Sequence, residues 1–103
     1  MVLYEVNLTV DPAMSASVEA WMPQHIDEML AIDGIERAEW YDLEPAGTGE
    51  TRWTIHYYLT SQDHLDAYLE EHAERMRGDG LDRFGGHFAA TRRVLYHRRT
   101  KAA

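Results

Sequence analysis

Apolar and polar positions alternate along the first ten residues. This alternation predicts a strand with one buried face, because successive side chains of a strand point to opposite sides. The apolar positions are Val2, Tyr4, Val6, Leu8 and Val10. Three later segments rich in β-branched and aromatic residues, at 35–43, 52–60 and 88–96, predict three more strands.

Two other segments repeat apolar residues every three or four positions, which is the spacing of one helix face. The first helix is predicted to begin at a cap near Asp11 or Ser15 and to end before Gly34. Pro23 is predicted to kink or split this helix, because the proline ring clashes with the preceding turn.

The second helix is predicted to run from a cap at Ser61 to Arg77. Gly78 and Gly80 are predicted to end it, and a short helical turn at 81–84 is predicted before the last strand. Strands and helices therefore follow the order βαββαβ.

That order predicts an α+β fold, the ferredoxin-like sandwich, in which a four-stranded antiparallel sheet carries both helices on one face. The length of 103 residues suits a single domain, assigned to 1–97, followed by a basic C-terminal tail at 98–103.

In this predicted sandwich the face of the sheet that carries no helix is left open, and we call it the open face. Its predicted residues are Glu5, Asn7, Trp40, Thr54, His56, Tyr58, Arg93 and Leu95. This set is unusually aromatic for a solvated surface, so a homodimer through the open face is predicted, enclosing a cavity.

Two histidines interrupt the apolar stripes of the predicted helices. His25 lies on the stripe of the first helix and His72 on that of the second, so both rings should point toward the core or a cavity rim. A titratable ring in such a place is either a hydrogen-bonded core residue or part of a functional site.

Several short motifs of the chain resemble one bacterial family. They are Tyr4-x-Val6, Trp21-Met22 with His25-Ile26, Tyr57-Tyr58, Tyr68-x-x-x-His72-Ala73 and Arg83-Phe84 before an arginine-containing last strand. The chain resembles the short uncharacterised proteins of domain of unknown function 4286 from residue 1 to about 97. It departs from them at Pro23, since the family has a proline after the His-Ile pair. The resemblance implies a ferredoxin-like fold of the dimeric α/β-barrel type and implies no established activity. More distant relatives of this architecture include cofactor-free monooxygenases, haem-degrading enzymes, muconolactone isomerase-like enzymes and ligand-binding regulatory domains.

Composition removes several classes of function. A formal net charge of −8 disfavours nucleic-acid binding, which needs a basic surface. The absence of cysteine excludes disulfides, thiolate catalysis and cysteine-ligated metal centres. No segment approaches the roughly 20 apolar residues of a membrane span, and no secretion signal is recognisable, so a cytoplasmic location is expected.

The candidate chemistry is proton transfer by histidine, whose ordinary pKa suits neutral pH. His25 or His56 is the predicted general base, and Arg93 (Arg92 if the last strand is shifted by one) is predicted to stabilise the resulting oxyanion. The predicted substrate-binding residues are Trp40, Tyr58 and His72.

A metal site and a cofactor are not predicted. His25 and His72 lie on antiparallel helices, roughly 8 Å apart along the axis and ~10 Å across it, which is too far for one ion.

Two functions remain open on the sequence alone. One is a homodimer that binds a small organic molecule, with cofactor-independent proton-transfer or oxygenation chemistry. The other is a structural or regulatory interaction protein in which the histidines are core residues. A cavity beside His25 or His56 would favour the first, and a face packed without a cavity would favour the second.

Overall fold

Four antiparallel strands form one sheet. The computed structural model describes residues 1–103 and places the strands at Val2–Val10 (β1), Ile35–Asp42 (β2), Thr51–Leu59 (β3) and Phe88–Tyr96 (β4). The strand order is β2-β3-β1-β4, with β1 at the centre between β3 and β4. The predicted strands are confirmed to within one residue, and the fold is ferredoxin-like as expected.

The first helix, α1, spans Ser15–Leu30 and follows a short 3-10 turn at Pro12–Met14. Asp11 precedes that turn, and its side chain accepts a hydrogen bond from the backbone N–H of Ala13. Of the two alternatives predicted for Pro23, a kink or a split, the split is wrong, because α1 continues through this residue. Pro23 is exposed, so water can reach the carbonyl that the missing proline N–H leaves without a helical partner.

The second helical region is two helices rather than one. α2 spans Gln62–Glu71 and α3 spans Ala73–Phe84, and the break falls at His72. The glycines predicted to end the helix lie inside α3. A Cβ on Gly80 would lie 2.9 Å from Phe88 Cζ, so the bare glycine lets α3 lie close to the sheet. This packing outweighs the poor helix propensity of glycine. None of the three helices is both long and apolar enough to cross a membrane.

The core lies between the helices and one face of the sheet. The alternation in β1 is confirmed, because its even-numbered residues belong to the core or pack against it. The odd-numbered residues Leu3, Glu5, Asn7 and Thr9 lie on the open face. The fully buried large side chains come from β1, α1, β3 and α2, and they are Val10, Val18, Met22, Met29, Ile55, Tyr57, Leu59 and Leu65.

A β-bulge changes which side chains of β2 reach the open face. Ile35 pairs with Leu59, but the next pair is Arg37 with Tyr58, so one extra residue lies between them. A bulge of one residue moves every later side chain to the opposite face. The prediction of Trp40 on the open face is therefore wrong. Trp40 points to the core face, where it packs edge-on against Trp53 at 5.1 Å between ring centroids.

Candidate functional site

A narrow cleft opens between α1, α3 and the core face of the sheet; we call it the helix–sheet cleft. Its volume is about 50 Å³, which is room for a few water molecules. Of the predicted site residues, only His25 lines it. The full lining is Tyr4, Val6, Leu8, Trp21, Met22, His25, Met29, Ile55, Tyr57, Tyr68, Met76, Arg77, Phe88 and Arg92.

His25 is half-buried at this cleft. Its ring stacks on Trp21, one helical turn earlier, with 4.4 Å between ring centroids. The Nδ1 atom of His25 is buried and has no hydrogen-bond partner. Burial lowers the pKa of His25 below its usual 6.5, the negative charges of Asp79 and Glu28 oppose that change, and Arg92 adds to it. The neutral imidazole is therefore the main form at pH 7, which is the form that accepts a proton.

Two carboxylates stand beside His25 on the helix side. Glu28 follows one turn later on α1, and Asp79 comes from α3. One ligand atom from each of the three residues lies within 4.8 Å of the others. These are the residues of the chain that could hold a divalent ion. Asp79 also forms an ion pair with Arg83, and Glu28 accepts a hydrogen bond from Gln24, so both carboxylates have other partners.

Three tyrosines line the inner part of the cleft. Tyr4 from β1 lies 6.5 Å from Tyr57 and 5.5 Å from Tyr68, measured between ring centroids. Arg77 donates a hydrogen bond of 2.9 Å to the Tyr4 hydroxyl. Burial raises the pKa of Tyr57 and raises that of Tyr68 to about 12, so these phenols keep their protons and can donate hydrogen bonds to a ligand.

Arg92 brings a charge to the core face of the sheet. It pairs with Val6 across β1 and β4, so it shares the face of Val94 and Ala90. The sequence predicted Arg93 as the arginine that stabilises an oxyanion, with Arg92 as the alternative if the last strand were shifted by one residue. The structure places Arg93 on the open face as predicted and gives Arg92 to the helix–sheet cleft.

The other predicted general base, His56, lies on the open face. Its Nε2 is 3.0 Å from Glu5 Oε1, and Arg93 donates from Nε to Glu5 Oε2. Glu5 is only 5% exposed and also accepts a hydrogen bond from Asn7. The hydrogen bond from Arg93 lowers the pKa of Glu5 although burial raises it, so the carboxylate stays ionised. Glu5, Asn7, His56 and Arg93 thus form a paired polar network at the centre of the open face. The buried hydroxyl of Thr54 beside it has no hydrogen-bond partner.

Of the remaining predicted residues, Tyr58 lies on the open face outside the network around Glu5, and His72 lies away from both the open face and the cleft. Tyr58 is on the open face, where the guanidinium of Arg37 lies 4.1 Å from its ring centroid. His72 lies at the junction of α2 and α3, and its Nδ1 is 3.1 Å from Arg75 Nη2. The structure therefore separates the predicted residues into the helix–sheet cleft, the open face and the helix junction, with Trp40 in the core beside Trp53.

The family described as domain of unknown function DUF4286 matches residues 1–98 of the chain. The protein belongs to this family. The resemblance of the short motifs is confirmed, and with it the expected fold. No curated protein sequence matches the chain.

Solved structures share the architecture of this DUF4286 member at low sequence identity. SnoaB, a cofactor-independent oxygenase from Streptomyces nogalater, is 15% identical with a TM-score of 0.68, covering 96% of this chain and 94% of its own. A Deinococcus radiodurans protein described as a candidate antibiotic biosynthesis monooxygenase is 10% identical with a TM-score of 0.74, covering 100% and 98%. The designed protein Foldit4 is 12% identical with a TM-score of 0.64, covering 94% and 98%. An oxygenase and a designed protein match about equally well, so this similarity shows the fold alone.

Proposed function

We propose that the protein binds a small planar organic molecule in the helix–sheet cleft and that His25 removes a proton from it. One observation carries this proposal: a half-buried neutral imidazole, with a buried ring nitrogen that has no partner, lines an aromatic cleft. Proton abstraction needs a base whose pKa lies near or below the working pH, and burial provides this for His25.

The reaction that follows in this proposal is oxygenation without a metal or organic cofactor. The base takes a proton from carbon, the carbon keeps the electron pair, and dioxygen adds to that carbon while accepting electrons. The proton then returns to the peroxide oxygen, so that R–H and O₂ give R–OOH. The proposal takes this reaction class from SnoaB, a cofactor-independent oxygenase with the same fold.

The size of the cleft sets a condition on binding. Ligand sites commonly have volumes of ~300–1,000 Å³, and this cleft has about 50 Å³. A bound aromatic molecule must therefore displace side chains at the mouth. Arg77 and Arg92 are exposed and long enough to move without disturbing the backbone.

The test uses exchange of ligand protons with deuterated solvent. Planar ligands identified by thermal shift should lose their acidic C–H signal in the NMR spectrum when incubated with the protein. In His25→Gln, binding is expected to persist while the exchange rate falls by about 10²–10⁴-fold, the usual contribution of a general base. The rate in the wild type should fall as pH drops through the lowered pKa of His25, because protonation removes the base.

His87→Gln is the matched control, because His87 is exposed and lines neither the helix–sheet cleft nor the depression on the open face. It should leave both binding and exchange unchanged. Exchange that survives in His25→Gln would exclude His25 as the base. A chain that binds none of the planar compounds would favour the interaction protein with core histidines.

The second part of the proposal is a homodimer through the open face. A shallow depression of about 570 Å³ lies there, lined by Met1, Leu3, Tyr58, Leu95, Tyr96 and His97. Next to it, Glu5 already pairs with His56 and Arg93, so a second copy could cover these groups without leaving one unpaired. A cytoplasmic location also remains part of the proposal.

Size-exclusion chromatography with light-scattering detection tests the dimer by measuring the mass of the eluting protein. The wild type should elute at twice the monomer mass of 11.9 kDa. Leu95→Glu should elute as a monomer, because it puts a charge in the apolar part of the interface. Leu81→Glu changes an exposed leucine on α3 and should keep the wild-type mass. A wild type that is monomeric at millimolar concentration would exclude this interface.

A further inference from the structure

The helix–sheet cleft has an unusual charge for this chain. Its lining contains two guanidinium groups, Arg77 and Arg92, and no carboxylate. The whole chain carries a formal net charge of −8, with 18 acidic residues against 10 basic ones. The average charge of its side chains is therefore negative, whereas the charge of the cleft lining is positive.

Neither of these arginines has an acidic partner. Three other arginines have a carboxylate partner, and these pairs are Arg37 with Glu39, Arg83 with Asp79 and Arg93 with Glu5. Arg52 instead donates to a backbone carbonyl, and Arg75 contacts His72. Arg77 donates to the hydroxyl of Tyr4, which keeps its guanidinium at the cleft and leaves most of its N–H donors free. Arg92 forms no side-chain hydrogen bond or ion pair, although it stands in an otherwise apolar row of β4.

The surrounding groups are also donors. The protonated phenols of Tyr57 and Tyr68 lie in the same lining, and the positive charge of Arg92 acts on both Tyr68 and His25. The nearest carboxylates, Glu28 and Asp79, stand beside His25 outside the lining. An anion within the cleft would therefore meet hydrogen-bond donors from several directions.

We propose that the helix–sheet cleft selects a planar aromatic acid, with its carboxylate bound by the guanidinium of Arg92 and its ring among the aromatic side chains. This inference rests on the proposed function and names the substrate class of the same site. Guanidinium matches carboxylate with two parallel hydrogen bonds, which a neutral amide cannot reproduce. Arg92 would also stabilise the charge that develops when His25 removes a proton.

The test compares acids with their neutral amides of the same shape. Benzoate and benzamide, and 2-naphthoate and 2-naphthamide, are titrated at pH 7 while backbone amide shifts are followed by NMR. In the wild type each acid should bind at least tenfold more tightly than its amide. Arg92→Gln should abolish this preference by weakening the binding of each acid more than that of its amide, and Arg92→Lys should restore part of it.

Arg98→Gln is the matched control, since it removes one positive charge from an exposed residue outside the cleft. It should keep the preference for the acid. Equal binding of acid and amide at this cleft would overturn the charge selection and leave the proposed function standing. A preference that also disappears in Arg98→Gln would make it an effect of net charge and overturn the role of Arg92. If neither member of either pair shifts cleft residues at millimolar concentration, both proposals fail.

Discussion

Gly34→Ala is expected to destabilise the protein by about 2–5 kcal/mol, although it adds only one methyl group. Gly34 has φ of +87°, a conformation that costs any other residue free energy. The added Cβ would also lie 2.3 Å from the ring of His64 and 2.5 Å from its Cβ. Rotating the His64 side chain cannot relieve the second contact, so the start of α2 must shift. Chemical denaturation of the two proteins measures the change.

Gly47→Ala separates the two causes. Gly47 has a similar φ of +81°, but no atom lies within 4 Å of the position its Cβ would take. The free energy of unfolding of this control should fall by about 1 kcal/mol, which is the cost of the backbone conformation alone. Combining Gly34→Ala with His64→Ala should recover only part of the loss, because the Cβ of residue 64 remains. If Gly34→Ala and Gly47→Ala lowered the free energy of unfolding equally, His64 on α2 would not lie as close to Gly34 as described.

Leu65→Ala is expected to cost about 2–5 kcal/mol, the usual range for a fully buried leucine that leaves a cavity. Leu65 lies on α2 and is 1% exposed within the core. A loss of this size is a large part of the 5–15 kcal/mol that typically stabilises a domain, so the melting temperature should fall by tens of degrees or the chain should not fold.

Leu81→Ala makes the same chemical change on α3, where the side chain is 58% exposed. It should change the free energy of unfolding by less than about 0.5 kcal/mol. If the two variants were destabilised equally, α2 would not cover the sheet in the way described.

The fold was predictable from the sequence because local and long-range signals agree. The alternation in β1 and the aromatic, β-branched character of β3 fix strands and their buried faces. The break between α2 and α3 was not predictable in the same way. Glycine propensity pointed to positions 78 and 80, whereas contacts of Gly80 with Phe88 and Trp21 keep the helix intact. Those partners become neighbours only once the chain has folded.

The bulge in β2 explains the error at Trp40. Starting from the buried Ile35, strict alternation places residue 40 on the open face. The extra residue after Ile35 reverses this, and no glycine marks the position. Tyr41 takes the place on the open face and packs against His56 at 5.7 Å between ring centroids. The side of the sheet on which residues 37–42 lie could therefore not be predicted from the sequence alone, because nothing in it marks the bulge.

The candidate site was predicted only through His25. Its place on an apolar stripe was a signal in the sequence, and the structure puts it at the cleft. Arg77 was missed, and Arg92 was named only as the alternative to Arg93 in a shifted strand, for a physical reason. Arg77 stands at the end of the helix predicted from the sequence, and Arg92 lies near the end of the chain, so both resemble ordinary surface residues. Only the strand register shows that Arg92 faces the core side.

The strand order has a consequence for behaviour at high concentration. β2 and β4 form the two borders of the sheet, and each presents backbone N–H and C=O groups that no neighbouring strand binds. Such borders can recruit strands from other molecules and grow into fibres. Here β2 carries Glu36, Arg37 and Glu39 with a bulge among them, and β4 carries two adjacent arginines. The most apolar strand, β1, is enclosed between two others, so the borders open to recruitment are the ones that carry charged side chains and a bulge, features that disfavour pairing with another strand.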